Sequence, residues 1–400
     1  MTDKNLKEQI DGILRGVAEV ENITNYELLA DLSAETGDGF MGQIYFGSVK
    51  DKSNGKVHNV VIKKNVEMPF SDTTFKNEVV FYDTVYPELD NLQKEAHVKR
   101  PFNNVPKYYS GSSKADEMYL AMENLKLLNY EMYDKKKFLD EEHLKFIFRL
   151  YGKYHALSFV LKDQKPEDYR AITAKSVKVY EEMKEGLVIA MKSSLKPAVD
   201  AFDSEEFKIQ HERSQKVLDD LQDLYVKSTR YQGKCGCIIH GDCWSNNFFF
   251  KYSDSGKLED MKLIDFQFSH ESTPVHDLSY FFYSGASKAD FDKLDDYLDI
   301  YFRSFTEFAE ELGSDGTKLL PFDVLKEEWK TYGLFGLLMG ILLWQIKLTD
   351  KEQCQEFTEK ASEDKGYEQW NNVMKRTHSN PVFKERTTNI LKHAVEYGII

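Results

Sequence analysis

Two short stretches of this 400-residue chain combine residue types that could do chemistry. They are His240-Gly241-Asp242-Cys243-Trp244-Ser245-Asn246-Asn247 and Leu263-Ile264-Asp265-Phe266-Gln267. An aspartate, an asparagine five residues on and a second aspartate after a hydrophobic strand suit phosphoryl transfer from ATP to a hydroxyl group. Asp242 would accept the hydroxyl proton. Asn247 would hold a magnesium ion, and Asp265 would bridge metal and phosphates. The flanks read as a rigid scaffold: Cys237–Ile239 and Phe248–Phe250 as short buried strands, and Ser253–Gly256 as a hairpin turn into a strand over Met261–Phe268.

Such a site needs something upstream to hold the nucleotide. Gly37-Asp38-Gly39-Phe40-Met41-Gly42 is a G-x-G-x-x-G run, with Gly37, Gly39 and Gly42 as its glycines. In a dinucleotide fold such a run opens a helix. Here Gln43–Lys50 is β-rich, and Asp51–Gly55 turns the chain into a second strand, Val57–Lys63, so a phosphate-covering loop between strands is the better reading. That strand ends in Lys63-Lys64. Lys63 is the expected phosphate contact, with Lys64 left open because alternation alone does not decide between them. Thr74–Leu89 has helical periodicity, with Phe75, Val79, Tyr82 and Tyr86 on one stripe and Pro87 marking its end. Glu78 falls on that apolar face, where an unpaired carboxylate is costly, and the strand lysine is its natural partner.

Composition narrows the class. A net charge of -14 argues against nucleic acid or an anionic membrane as partner, and 14% aromatic residues can build sizeable cores. Cys235, Cys237, Cys243 and Cys354 are too few and too clustered for a disulfide framework and lack zinc-knuckle spacing, so reduced thiols are expected. The polar amino-terminal stretch has no secretory core, and the apolar run Tyr332–Trp344 falls short of the ~20 residues that cross a bilayer. It reads as a buried core helix, and the location as cytoplasmic. Residues 1–20 read as an amphipathic helix. Residues 23–122 are β-rich, closing with a strand at Met118–Met122. Glu123-Asn124-Leu125 takes the place of a hinge whose main chain would meet adenine. Helices dominate beyond Lys126, including Glu141–Leu161, whose His155 suits a satisfied core position, and Gln164–Gln232, which carries no catalytic signature. For Asp277 two roles are open: a helix N-cap, or an anchor for the catalytic-loop backbone.

With these residues in view, the chain resembles the ecdysteroid-kinase-like family, a branch of the choline-kinase and aminoglycoside-phosphotransferase superfamily. The marks are Phe75-x-x-Glu78-x-x-x-Tyr82, Met122-Glu123-Asn124-Leu125, Tyr154-His155-Ala156-Leu157-Ser158, His240-Gly241-Asp242-x-Trp244-x-x-Asn247 and Ile264-Asp265-Phe266-Gln267. The resemblance implies ATP-dependent, magnesium-assisted phosphorylation of a hydroxyl on a small molecule, with ecdysteroids the acceptors of some members.

The expected fold is therefore α+β and bilobal, of the protein-kinase-like kind. Residues 1–123 would form a small antiparallel-sheet lobe with one long helix that binds the nucleotide. Residues 124–400 would form a larger helical lobe carrying the catalytic loop and the substrate pocket. The alternatives are a choline- or ethanolamine-type kinase and a catalytically silent ligand-binding protein. Silence is disfavoured because Lys63, Glu78, Asp242, Asn247 and Asp265 are all present.

Overall fold

The computed structural model describes residues 3–36, 42–66, 70–115, 117–349 and 375–400. Of the residues singled out above, Gly37, Gly39 and Cys354 lie outside the described ones. By contact the chain forms two compact units. The first comprises Met1–Pro87, Asn103–Tyr133 and Asn246–Gln267, and the second Glu88–Phe102, Asp134–Ser245 and Phe268–Ile400. Both are discontinuous in sequence, unlike a single cut between residues 123 and 124.

The first unit is built on a five-stranded antiparallel sheet of order β1-β2-β3-β5-β4, with β1 at Tyr26–Thr36, β2 at Gln43–Asp51, β3 at Val57–Lys64, β4 at Tyr108–Ser112 and β5 at Tyr119–Glu123. The amino-terminal helix Asp3–Val20 turns Ile10, Ile13, Leu14 and Val17 onto Val49, Val60, Ile62 and Ala121 of this sheet. Period-two alternation then sorts the two lysines. Lys64 shares its face with Val60 and Ile62 and bonds Gln9 of that helix at 2.5 Å, whereas Lys63 points to the other face. A smaller antiparallel sheet, β6-β8-β9, joins Tyr130–Met132, Phe248–Tyr252 and Leu258–Leu263. The turn between β8 and β9 is the expected one, with Gly256 at φ 80° and the Gly256 amide donating to the Ser253 carbonyl.

Two sequence expectations need correction. Pro87 does not end its helix. The path runs Ser71–Val80, a π-helical turn at Phe81–Val85, then Tyr86–Glu95. In that turn the Tyr86 amide reaches back to the Phe81 carbonyl. The wider turn relieves the clash that a proline ring makes with the carbonyl four residues earlier, so the chain stays helical. The strand expected over Met261–Phe268 is Leu258–Leu263 instead, because Asp265 adopts φ 68° and a left-handed residue cannot continue a ladder.

The second unit is mainly helical. β7 (Cys237–Ile239) and β10 (His270–Ser272) pair antiparallel within it, with His270 opposite Ile239. The helix Pro274–Gly285 starts on Thr273, whose hydroxyl accepts from the Val275 amide, and every one of its residues is buried. It packs on Phe322–Lys347, which contains the apolar run Tyr332–Trp344. Among the described residues no helix is long and apolar enough to cross a membrane. Gly336 sits where these two helices touch: a Cβ there would overlap Ser279 and the Tyr280 amide. Gly336→Ala should therefore force the helices apart and destabilise the protein by ~1–3 kcal/mol. Thermal unfolding followed by circular dichroism checks this, and an unchanged Tm would contradict it.

Candidate active site

In the first unit, Lys63 brings two carboxylates together. Its Nζ lies 2.6 Å from Glu78 Oε2 and 2.8 Å from Asp265 Oδ1. β3 supplies the lysine, the Ser71–Val80 helix the glutamate, and the turn after β9 the aspartate. Lys63 is 9% exposed and Glu78 1%, and the Asp265 side chain is 18% exposed. Burial alone would lower the lysine pKa, yet Asp265 and then Glu78 hold it above its ordinary value. One ammonium faces two carboxylates, and the deeper acid bears the desolvation: burial pushes Glu78 up to about 7 against the pull of Lys63. Glu78 Oε1 is buried with no hydrogen-bond partner among the described residues. Gly42 closes over the same lysine, since a Cβ there would come within 3.2 Å of Lys63 Cγ and 3.3 Å of its Cε.

The left-handed backbone of Asp265 is an uncommon conformation for a non-glycine residue, of the sort that surrounding structure must enforce. Phe266 supplies that enforcement. Its ring stacks on Phe81 at 3.6 Å between centroids and meets Tyr82 edge-on, and the next residue offers its carbonyl to Asn77 Nδ2. Phe248 opposes Leu263 in the β8–β9 register, and the Ile264 amide donates to the Asn247 carbonyl at 3.1 Å. Asn247 and Asp265 thus emerge at the same end of one strand pair. Their oxygen donors fit a hard divalent cation such as magnesium, which takes one or two protein oxygens and completes its shell with phosphate and water.

Asp242 belongs to the second unit, on the loop after β7. The chain crosses between the units at Ser245/Asn246, inside the Asp242–Asn247 motif. The loop is held from beneath by Asp277. That carboxylate is fully buried and accepts from the His240 amide at 2.7 Å and the Gly241 amide at 2.9 Å. His155 Nε2 lies 3.1 Å from the same carboxylate and His155 Nδ1 3.1 Å from the Tyr301 hydroxyl. Because a carboxylate only accepts, Nε2 carries the proton. Burial alone would raise the Asp277 pKa, but the His155 hydrogen bond and charge, the His240 charge and the Cys243 thiol hydrogen bond bring it below the ordinary aspartate range. Of the two roles open for Asp277, the backbone anchor is the one the structure displays. Thr273 is the N-cap, and His155 is a satisfied core histidine.

Gly241 has φ 86°, and a Cβ on it would overlap the Phe268 carbonyl. Glycine is thus the residue this turn admits. The Gly241 carbonyl accepts from the Tyr180 hydroxyl at 2.5 Å, and Asp242 Oδ1 accepts from the Tyr280 hydroxyl at 2.8 Å. Neither tyrosine was singled out from sequence. Tyr180 lies in Gln164–Gln232, the stretch that carries no catalytic signature. Tyr280 did leave a signal, standing three residues after Asp277 and hence on the same helical face.

At the segment proposed to meet adenine, the amides of Glu123 and Asn124 are already committed, to the Lys107 and Asn59 carbonyls. The Glu123 carboxylate accepts the Lys107 amide at 2.8 Å. Asn124 caps a short 3-10 helix, Leu125–Leu128.

The fold is similar to several solved structures. An ethanolamine kinase from Plasmodium vivax aligns over 90% of this chain and 84% of its own at 13% identity, TM-score 0.41. The GDP complex of aminoglycoside 2'-phosphotransferase-IIIa aligns over 93% and 99% at 12% identity, TM-score 0.41. A glucosamine kinase in complex with glucosamine, ADP and inorganic phosphate aligns over 92% and 84% at 12% identity, TM-score 0.34. Among curated proteins none matches the sequence. The ecdysteroid kinase-like family matches residues 36–314. This span holds every residue of the candidate site described above, so the chain belongs to the ecdysteroid kinase-like family, and its α+β fold joins a five-stranded antiparallel sheet to a mainly helical unit.

Proposed function

We propose that the protein is an ATP-dependent small-molecule kinase that phosphorylates an alcohol, most specifically a steroid-like alcohol of the ecdysteroid kind. The observation that carries this reading is the buried Lys63–Glu78–Asp265 cluster, a costly arrangement for a protein with no anionic ligand to bind there. In this reading Lys63 contacts the α- and β-phosphates, Glu78 orients it, and Gly37, Gly39 and Gly42 bind the nucleotide. The Glu123 carbonyl and the Leu125 amide meet adenine. Asn247 and Asp265 hold magnesium, which when bound neutralises phosphate charge. Residues 1–123 act as the nucleotide lobe and 124–400 as the lobe of the catalytic loop and acceptor pocket.

The transfer itself needs one proton moved. As the acceptor oxygen bonds to the γ-phosphorus, its hydroxyl proton passes to the Asp242 carboxylate, and the bond from the γ-phosphorus to the bridging oxygen breaks to release ADP. Positioning and charge neutralisation supply most of the acceleration.

The family supports a steroid-like acceptor, as do the aromatic side chains beside the loop: Tyr180 stacks on Phe268 at 4.7 Å and meets Phe335 at 4.9 Å. The same aromatic faces favour the second reading, a choline- or ethanolamine-like acceptor, through cation–π attraction. The buried, unpaired thiols Cys235, Cys237 and Cys243 support a reducing compartment such as the cytoplasm.

ATP consumption measured against a panel of sterols, choline, ethanolamine and aminoglycosides tests the function. The expected result is transfer to a sterol alcohol that falls ~10²–10⁴-fold in Asp242→Asn with nucleotide affinity retained. No transfer to any panel member, or an unimpaired Asp242→Asn, would refute the assignment. Asp265→Ala should weaken binding of Mg-ATP by roughly tenfold or more, the worth of one or two charge-assisted bonds. Calorimetric titration showing unchanged affinity would move the metal site elsewhere.

A further inference from the structure

We infer that Tyr280 is a positioning residue for phosphoryl transfer, one that sets the orientation of the Asp242 carboxylate. The inference rests on the proposed role of Asp242 as acceptor of the substrate proton.

Its basis is the geometry of a single helix. Asp277 and Tyr280 lie three residues apart in Pro274–Gly285 and so share a face. Asp277 takes two amides of the catalytic loop, at His240 and Gly241, and Tyr280 takes the carboxylate of the next residue. One face thus fixes both the path of the loop and the direction of its reactive side chain. Tyr280 is itself well fixed. It is 2% exposed, its ring lies 6.2 Å from that of Phe335, and the close approach at Gly336 reaches its own amide. Burial and the Asp242 charge raise its phenol well above the ordinary tyrosine range, so it remains a donor throughout the physiological range.

A carboxylate with one oxygen held by a phenol has lost most of its freedom to rotate, and the acceptor hydroxyl then meets it in a defined orientation. Misalignment of a general base by about an ångström costs roughly a hundredfold in rate. Tyr180 differs, because its hydroxyl donates to the main-chain carbonyl of Gly241 and meets the Tyr280 hydroxyl, while Tyr280 alone of the two donates to the carboxylate. Tyr180 is locked in turn by the Tyr225 hydroxyl, which donates to its carbonyl at 2.7 Å.

The test compares Tyr280→Phe with Tyr180→Phe, each of which removes one buried hydroxyl and keeps the ring. In Tyr280→Phe kcat for acceptor phosphorylation should fall by ~10–100-fold with KM for Mg-ATP unchanged. The fraction of consumed ATP hydrolysed by water, as opposed to transferred to the acceptor, should rise as well. Tyr180→Phe should show at least tenfold less loss of kcat at a comparable change in Tm. Equal kcat losses in the two variants, or a folded Tyr280→Phe that transfers at the wild-type rate, would overturn the role of Tyr280 alone. A wild-type chain that phosphorylates no acceptor would overturn the proposed function and this role with it.

Discussion

A lysine ammonium buried between two carboxylates is the constraint on which the first unit depends. Removing such a group from water costs several kcal/mol unless partners replace its hydration, and each partner here comes from a different element. β3 must keep its register so that Lys63 and not Lys64 faces the helix. The helix must place Glu78 inward, and the turn after β9 must bend into the left-handed region to deliver Asp265. The Phe81–Phe266 stack ties the last two elements together, so a perturbation of either aromatic would be felt at the lysine. The cluster is incompletely neutralised, with one positive and two acidic groups. That leaves Glu78 raised and one of its oxygens without a partner among the described residues. A site built for a ligand tolerates such a deficit, whereas a purely structural ion pair has reason to avoid it.

The second unit answers a similar problem in the opposite way. Asp277 is as deeply buried as Glu78, but its two oxygens meet the His240 and Gly241 amides and His155, so it stays ionised below the ordinary range. A satisfied buried carboxylate is a rigid support. The loop it carries can therefore expose Asp242, which is only partly buried, without losing its shape. Gly241 completes this by allowing the backbone to pass against the Phe268 carbonyl, a path closed to any residue with a side chain.

How much of this was legible in the sequence depends on the scale of the feature. The pairing of Lys63 with Glu78 was legible, because a charge on an apolar helical stripe and a lysine closing a strand each demand a partner. Alternation in β3 could not separate Lys63 from Lys64, since the choice depends on which sheet face the amino-terminal helix covers. Pro87 misled because the proline rule assumes an α-helical turn, and the π-turn at Phe81–Val85 is invisible to periodicity. The strand holding Asp265 was drawn too long for a related reason: hydrophobic runs do not reveal a left-handed residue unless it is glycine. Tyr180 was illegible as a site residue because its hydroxyl acts across a tertiary contact with no spacing to mark it, and Tyr280 was marked only by its three-residue offset from Asp277. Asp277 was half legible, its position suggesting two roles that only the loop contacts separate.

Whether Lys63 and Glu78 act on the nucleotide as one unit, as proposed, is read from a double-mutant cycle followed as Mg-ATP affinity. Lys63→Met, Glu78→Gln and the double variant would each be titrated calorimetrically against the wild-type protein. Glu78→Gln should weaken binding more mildly than Lys63→Met, because the lysine keeps its charge and loses only its orientation. If the pair is coupled, the double variant should bind little worse than Lys63→Met alone. Losses that multiply across the cycle would show instead that the two residues contribute independently.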